Sequence, residues 1–144
     1  MNPDEDKDIV VTILRSQVTI LRAVRSMAAR EGLTIQQFGV LRLLSRLGDV
    51  PMSALSEELK VSPPVITGII DRLEKKSLVK REGSSSDRRM TEIILTENGK
   101  KLYRKIQGDY RWTIHESLGR SLTMDEQQTL ARLLKKFARE IPDS

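Results

Sequence analysis

With 144 residues the chain has room for one compact domain, or for two small lobes that share a core. A hydrophobic share of 38% and a charged share of 31% describe a globular protein with a well-solvated surface, and no stretch reaches the roughly 18 apolar residues needed to cross a bilayer. The formal net charge of +5 favours contact with a polyanion but fits a solvated lysine surface equally well, and the absence of cysteine excludes disulfides, thiol redox switching and thiolate metal ligation.

The first residues are acidic (Asp4, Glu5, Asp6 and Asp8 against Lys7) and lack the basic start and apolar run of a secretory signal. The expectation is therefore a cytoplasmic protein without a membrane partner. From residue 9 to about residue 29, Ile9, Ile13, Ile20, Leu21, Val24, Met27 and Ala28 recur at helical spacing, which predicts a long amphipathic helix stopped near Gly32. Thr34-Ile35-Gln36-Gln37 then fits a capping box, in which the Thr34 hydroxyl accepts from the Gln37 amide while the Gln37 side chain reaches back. The next helix carries Phe38, Val40, Leu41, Leu43, Leu44 and Leu47 on most sides, so it is expected to be central and buried. Gly48-Asp49 ends it, and Pro51 falls in the connection.

A short helix from about residue 53 to residue 59 buries Leu55 and Leu59. After the turn at Lys60-Val61, Ser62-Pro63-Pro64 opens another helix: serine is a favoured N-cap, and proline in the first turn removes an N–H without an intrahelical partner. Ile66, Ile69, Ile70 and Leu73 share one face of this helix, and Pro64, Thr67, Gly68, Asp71 and Lys75 share the other. Two short helices joined by a tight turn, the second with a small and polar outer face, form a helix-turn-helix pattern. Two strand-like runs come next, at residues 78–82 and 91–95, separated by the hairpin loop Gly83-Ser84-Ser85-Ser86-Asp87-Arg88-Arg89. A long helix runs from after Thr96 to about Leu118. A second capping box, Thr123-Met124-Asp125-Glu126, opens a last helix expected to bury Leu130, Leu133, Leu134, Phe137 and Ile141.

The charge excess is local. Residues 60–90 hold eight bases (Lys60, Arg72, Lys75, Lys76, Lys80, Arg81, Arg88, Arg89) against four acids (Asp71, Glu74, Glu82, Asp87), as a phosphate-facing surface requires. The expected fold is mainly α with a small β-hairpin wing (α+β). Residues 34–96 would form a winged helix-turn-helix lobe, flanked by helical regions at residues 1–33 and 97–144. The helix opening at Ser62 is the candidate for the major groove of double-stranded DNA. There Pro63, Pro64 and Thr67 lie on the outward N-terminal part, Gly68 allows close backbone approach, and the N–H groups at the helix start suit a phosphate oxygen, with Ser62 as cap. Lys60, Arg72 and Lys75 are candidates for phosphate contact rather than base reading.

The order of elements, together with the strings Met52-Ser53-Ala54-Leu55-Ser56-Glu57-Glu58-Leu59, Ile70-Asp71-Arg72-Leu73-Glu74-Lys75-Lys76-Ser77-Leu78-Val79, Asp87-Arg88-Arg89 and Leu95-Thr96-Glu97-Asn98-Gly99, resembles the MarR family of bacterial and archaeal regulators. The resemblance implies a homodimer joined through its N- and C-terminal helices, repression of neighbouring genes from a pseudo-palindromic operator, and release by a small phenolic or anionic effector. It also implies a wing whose tip arginine enters the minor groove, with Asp87 as brace and Arg88 and Arg89 dividing the groove and brace roles. For an effector, Arg15 is a candidate anion partner, and Tyr103, Tyr110 and Trp112 are candidates for a cavity lining or for packing.

Three departures from the family pattern stand out. Ser77 replaces a usual glycine, where a left-handed backbone costs serine roughly 1 kcal/mol and leaves room for the helix to end differently. Ser84-Ser85 replaces a frequent Asp-Pro. The missing cysteine and the single histidine, His115, argue against the peroxide- and zinc-sensing branches. No cofactor or metal is implied, and with no nucleophile or carboxylate beside His115 and no glycine-rich phosphate loop the chain does not read as an enzyme. Two rivals stay open: a winged-helix protein-interaction module, and a nonspecific nucleic-acid binder.

Overall fold

The computed structural model describes residues 8–84, 86–87 and 89–141. Among these the chain forms six helices and three short strands in the order α1 (Ile9–Arg30), α2 (Ile35–Leu47), β1 (Val50–Pro51), α3 (Met52–Leu59), α4 (Pro63–Lys75), β2 (Val79–Gly83), β3 (Thr91–Leu95), α5 (Glu97–Ser121) and α6 (Met124–Glu140). It divides into two compact units, Met1–Tyr110 and Arg111–Ser144.

Local chemistry sets most of the boundaries. Asp8 caps α1 by accepting from the Val10 amide at 2.8 Å, and Gly32, at φ 74°, lets the chain reverse after the helix. The first capping box is complete: the Gln37 amide donates to the Thr34 hydroxyl at 3.1 Å, and the Thr34 amide donates to the Gln37 side chain at 3.0 Å. Thr123 and Glu126 repeat the arrangement at the start of α6, and these bonds to Thr123 hold the Glu126 carboxyl below its ordinary range. Helix α2 is central as expected, with Phe38, Val40, Leu41, Leu43 and Leu44 all buried, but Leu47 in its last turn is exposed.

The first unit is built on that helix. Ile66, Ile70 and Leu73 of α4, Leu55 of α3, Ile93 of β3 and Ile106 of α5 are essentially solvent-free in the same core as Leu41. Phe38 stacks on Tyr103 with ring centroids 5.8 Å apart and meets Tyr110 edge-on at 6.2 Å, so these two tyrosines pack against the core rather than line a cavity. Beside this core lies an antiparallel sheet of strand order β1-β3-β2. In the hairpin, Val79 pairs with Leu95 and Gly83 with Thr91; Val50 of β1 pairs with Ile93. The connection around Pro51 is thus a two-residue edge strand, and the edge is where a proline without N–H is tolerated.

Beyond α4 the chain turns as a glycine would. Ser77 lies at φ 58°, its amide donates to the Glu74 carbonyl at 2.8 Å, and the Leu78 amide reaches the Leu73 carbonyl at 3.0 Å. The helix therefore keeps the left-handed ending despite the serine. Thr96 holds the strain in place: its hydroxyl donates to the Ser77 carbonyl at 2.6 Å, and its amide to the Leu78 carbonyl at 3.1 Å. Gly99 sits so close to this junction that a Cβ there would stand 2.1 Å from the Leu78 oxygen.

In the second unit the expectation for α6 is corrected. None of its residues is buried within the chain, and Leu130, Leu133, Leu134, Phe137 and Ile141 are all exposed. The sequence pattern identifies the apolar stripe, but periodicity alone does not say whether the stripe is covered by the same chain.

Because the Ser77 side chain is exposed and only its backbone is used, Ser77→Gly should relieve the left-handed strain. We expect a net gain of up to about 0.5 kcal/mol in urea unfolding, after allowing for glycine's larger unfolded-state entropy. A loss of stability would show that the turn is unstrained.

Candidate nucleic-acid interface

The turn between α3 and α4 is tight because Lys60 takes the left-handed conformation at φ 53°. The Val61 amide bonds back to the Ser56 carbonyl at 3.1 Å, and the Ser56 hydroxyl to the Val61 carbonyl at 2.6 Å. Helix α4 then starts with Ser62 at the N-cap and prolines at its first two positions. Burial of Ile66, Ile69, Ile70 and Leu73 turns the opposite side outward: Lys60, Ser62, Pro63, Pro64, Val65, Thr67, Asp71, Arg72 and Lys75 are exposed, and Gly68 is half-buried.

One expectation at this helix start fails. Pro63 and Pro64 have no N–H, and the amides of Val65 and Ile66 both donate to the Ser62 carbonyl, at 3.0 and 3.1 Å. Ser62 makes no side-chain cap bond. The first turn therefore has no spare amide donor to offer a phosphate oxygen. The Thr67 hydroxyl is likewise turned back onto its own helix, 2.9 Å from the Pro63 carbonyl, with the Met52 sulfur at 3.3 Å.

Beside α4 stands the β2–β3 hairpin with its loop. Ser84 is buried and knits the loop base together: its amide donates to the Met90 carbonyl at 2.8 Å, and its hydroxyl to the Glu92 carboxylate at 2.8 Å. Asp87 accepts from the backbone amide of Arg89 at 2.9 Å, and the Met90 amide closes onto the Asp87 carbonyl at 3.0 Å. Asp87 thus folds the loop tip through the backbone, and Arg89 is exposed there. Arg88 lies outside the described residues.

The tie between wing and helix is a feature that the sequence pattern did not single out. Arg81, on β2, reaches two acids of α4: one guanidinium nitrogen is 2.7 Å from Asp71, the other bonds Glu74, and the Arg81 backbone amide also donates to Glu74 at 3.3 Å. The hydrogen bond to Asp71 and the charges of both acids hold the guanidinium pKa above its ordinary value despite partial burial. In the sequence these residues count only as charges. The available signal is the spacing of Asp71 and Glu74, three apart on one helical face, with an arginine inside the adjacent strand. Lys80 pairs with Glu82, so Asp71, Glu74 and Glu82 are held in ion pairs within the lobe and Asp87 is held by the Arg89 amide.

Of the remaining candidates, Arg15 is exposed on α1, Trp112 is 72% exposed on α5, and His115 is also exposed on α5. Among the described residues no cluster of three or more His, Asp or Glu side chains is arranged to hold a metal ion, and no helix is long and apolar enough to cross a membrane.

A helix-turn-helix whose second helix buries one face and exposes the other, flanked by a three-stranded sheet with a hairpin, defines a winged helix-turn-helix protein. The MarR family profile matches residues 33–91. The chain is 32% identical over 130 residues to the HTH-type transcriptional regulator FarR of Neisseria gonorrhoeae, with 88% of this chain and 89% of that protein covered. It is 26% identical to the homoprotocatechuate degradative operon repressor of Escherichia coli, covering 90% and 86% of the two chains. Among solved structures, apo MarR of E. coli superposes with a TM-score of 0.80 at 26% identity, over 90% of this chain and 96% of that one. The chain belongs to the MarR family and is a DNA-binding transcriptional regulator.

The Arg81 tie can be measured against an ordinary surface pair. Arg81, with a side chain only 26% exposed, holds two carboxylates, whereas Arg46 reaches Glu58 from a side chain 62% exposed. Arg81→Ala should lower stability by about 1 kcal/mol, and Arg46→Ala by less than about 0.5 kcal/mol. Equal losses in urea unfolding would show that the tie does not brace the lobe.

Proposed function

We propose that the chain is a cytoplasmic repressor that binds a pseudo-palindromic duplex as a homodimer and is released by a small anionic or phenolic molecule. In this reading residues 34–96 are the DNA-binding lobe, and the helical flanks, residues 1–33 and 97–144, carry the pairing surface. Helix α4 enters the major groove through Pro63, Pro64, Thr67 and Gly68, while Ser62, Lys60, Arg72 and Lys75 face the flanking phosphates. The wing, shaped by Asp87, places Arg88 and Arg89 against the minor groove, where a narrow A·T-rich segment attracts guanidinium groups. The reading contains no catalytic step.

One observation carries it: the apolar face of α4 is fully used inside the lobe, so its outer face and the basic wing remain for a partner. Exposed apolar surface on that face is confined to Pro63, Pro64 and Val65 at the tip, beside polar and basic side chains, which favours a polyanion over a protein partner. Pairing is supported by the uncovered stripes: Val10, Leu14, Val18 and Leu21 on α1, and Leu130, Leu134 and Phe137 on α6, are each at least 40% exposed in the single chain. Arg15 lies along the α1 stripe and is the candidate contact for an anionic effector; coupling then requires a ligand that favours one spacing of the two α4 helices. The name of the E. coli relative, an operon repressor, supports repression over activation.

The test is a binding titration on the chain's own upstream DNA against random duplex, across a range of salt. Specific binding should exceed random binding, and Arg88→Ala and Arg89→Ala should each weaken affinity and reduce the salt slope by about 1 for each phosphate no longer neutralised. Equal affinity for both duplexes would leave only a nonspecific binder, and unchanged salt slopes would remove the wing from the interface. Phe137→Glu should convert a dimer to a monomer in light scattering and reduce operator affinity at least ten-fold, since a monomer engages only one half-site; a wild-type monomer would refute pairing.

A further inference from the structure

The tip of α4 presents an unusual chemical surface. Val65 is 49% exposed, the one large aliphatic side chain of this helix that the core does not take. At 100° per residue it lies roughly a quarter turn from the centre of the buried face formed by Ile66, Ile69, Ile70 and Leu73, on the outward N-terminal turn beside Pro64. The amide donors of that turn are already spent, which leaves only the Ser62 hydroxyl and the Thr67 oxygen as polar atoms near the tip. Pro63 and Pro64 have no N–H, the Val65 amide is bonded to the Ser62 carbonyl, and the Thr67 hydroxyl hydrogen is directed at the Pro63 carbonyl. Arginine, lysine, asparagine and glutamine, the side chains that read base edges by paired hydrogen bonds, are absent from the first two turns of the helix. The exposed side chains of the first turn, Pro63, Pro64 and Val65, are hydrocarbon.

The major groove of DNA offers one hydrocarbon group, the C5 methyl of thymine. We propose that Val65, supported by Pro64, is a specificity-determining residue that recognises thymine methyl groups in each half-site. The inference rests on the reading that α4 enters the major groove. A β-branched side chain suits the role, because valine in a helix is held almost entirely in one χ1 rotamer and meets a methyl group without losing further side-chain freedom. Arg72 and Lys75, exposed further along α4, supply charge for the backbone but no pattern that distinguishes bases.

The experiment uses the full-length protein and a duplex that it selects from a random-sequence pool. Each thymine of the selected half-site is replaced in turn by deoxyuridine, which removes the methyl group and leaves every hydrogen-bonding atom in place. The expected result is a loss of about three- to five-fold at one or two thymines per half-site. Val65→Ala should bind the thymine duplex more weakly by a similar factor and be indifferent to uracil at those positions. If the selected duplex is bound specifically but uracil has no effect, or if Val65→Ala keeps the full uracil penalty, the inference is overturned while the groove reading stands. If no sequence is enriched over the random pool, the groove reading fails and the inference goes with it.

Discussion

Four aliphatic side chains, Ile66, Ile69, Ile70 and Leu73, fix the rotation of α4 about its own axis, and the remainder of the site depends on that rotation. Each is buried against Leu41, Leu55, Ile93 and their neighbours, and full burial of such a side chain is worth about 1.5–3 kcal/mol. Turning the helix to present any other face would lose a large part of the stability of a small domain. The outward positions of Pro64, Val65, Gly68 and Lys75 are therefore dictated by packing on the opposite side. The same core receives Tyr103 and Ile106 from α5 and Ala28 from α1, so the lobe includes the inner ends of the helices that flank it in sequence.

The second constraint is electrostatic and joins the wing to that helix. Asp71 and Glu74 leave α4 on the side of β2, and Arg81 bonds both while its backbone stays in the hairpin ladder opposite Ile93. A strand held through a guanidinium fork is fixed in direction as well as distance. The helix tip and the hairpin loop are thus carried by one framework, and their separation is set before any duplex arrives. Where α4 ends, Ser77 accepts a left-handed backbone, and the Thr96 hydroxyl and Gly99 hold the start of α5 close against that turn.

Much of this is legible in the sequence, because caps and periodicity act over a few residues. Thr34 with Gln37, Thr123 with Glu126, and the i, i+3, i+4 spacing of the α4 isoleucines are local signals, and the elements form where those signals place them. The departures share a physical origin in contacts that local pattern does not encode. Pro51 enters a sheet through pairing opposite Glu92, some forty residues away in sequence. The role of Arg81 depends on where β2 lands against α4. The stripe on α6 is amphipathic in the sequence and uncovered in the single chain, since amphipathicity specifies an apolar face but not its partner. At the start of α4 the sequence places both prolines in the first turn; their cost in N–H donors, and with it the apolar character of the tip, emerges only when each remaining amide is traced to its acceptor.

The central claim, that the α4 tip and the wing act together as one surface on duplex DNA, is tested most directly by amide hydrogen exchange of the full chain with and without its selected duplex. The account predicts that bound DNA slows exchange at residues 65–68 and at residues 82–90 together, with α6 unchanged. Protection confined to either segment alone, or appearing on α6 while α4 and the wing exchange as freely as before, would contradict it.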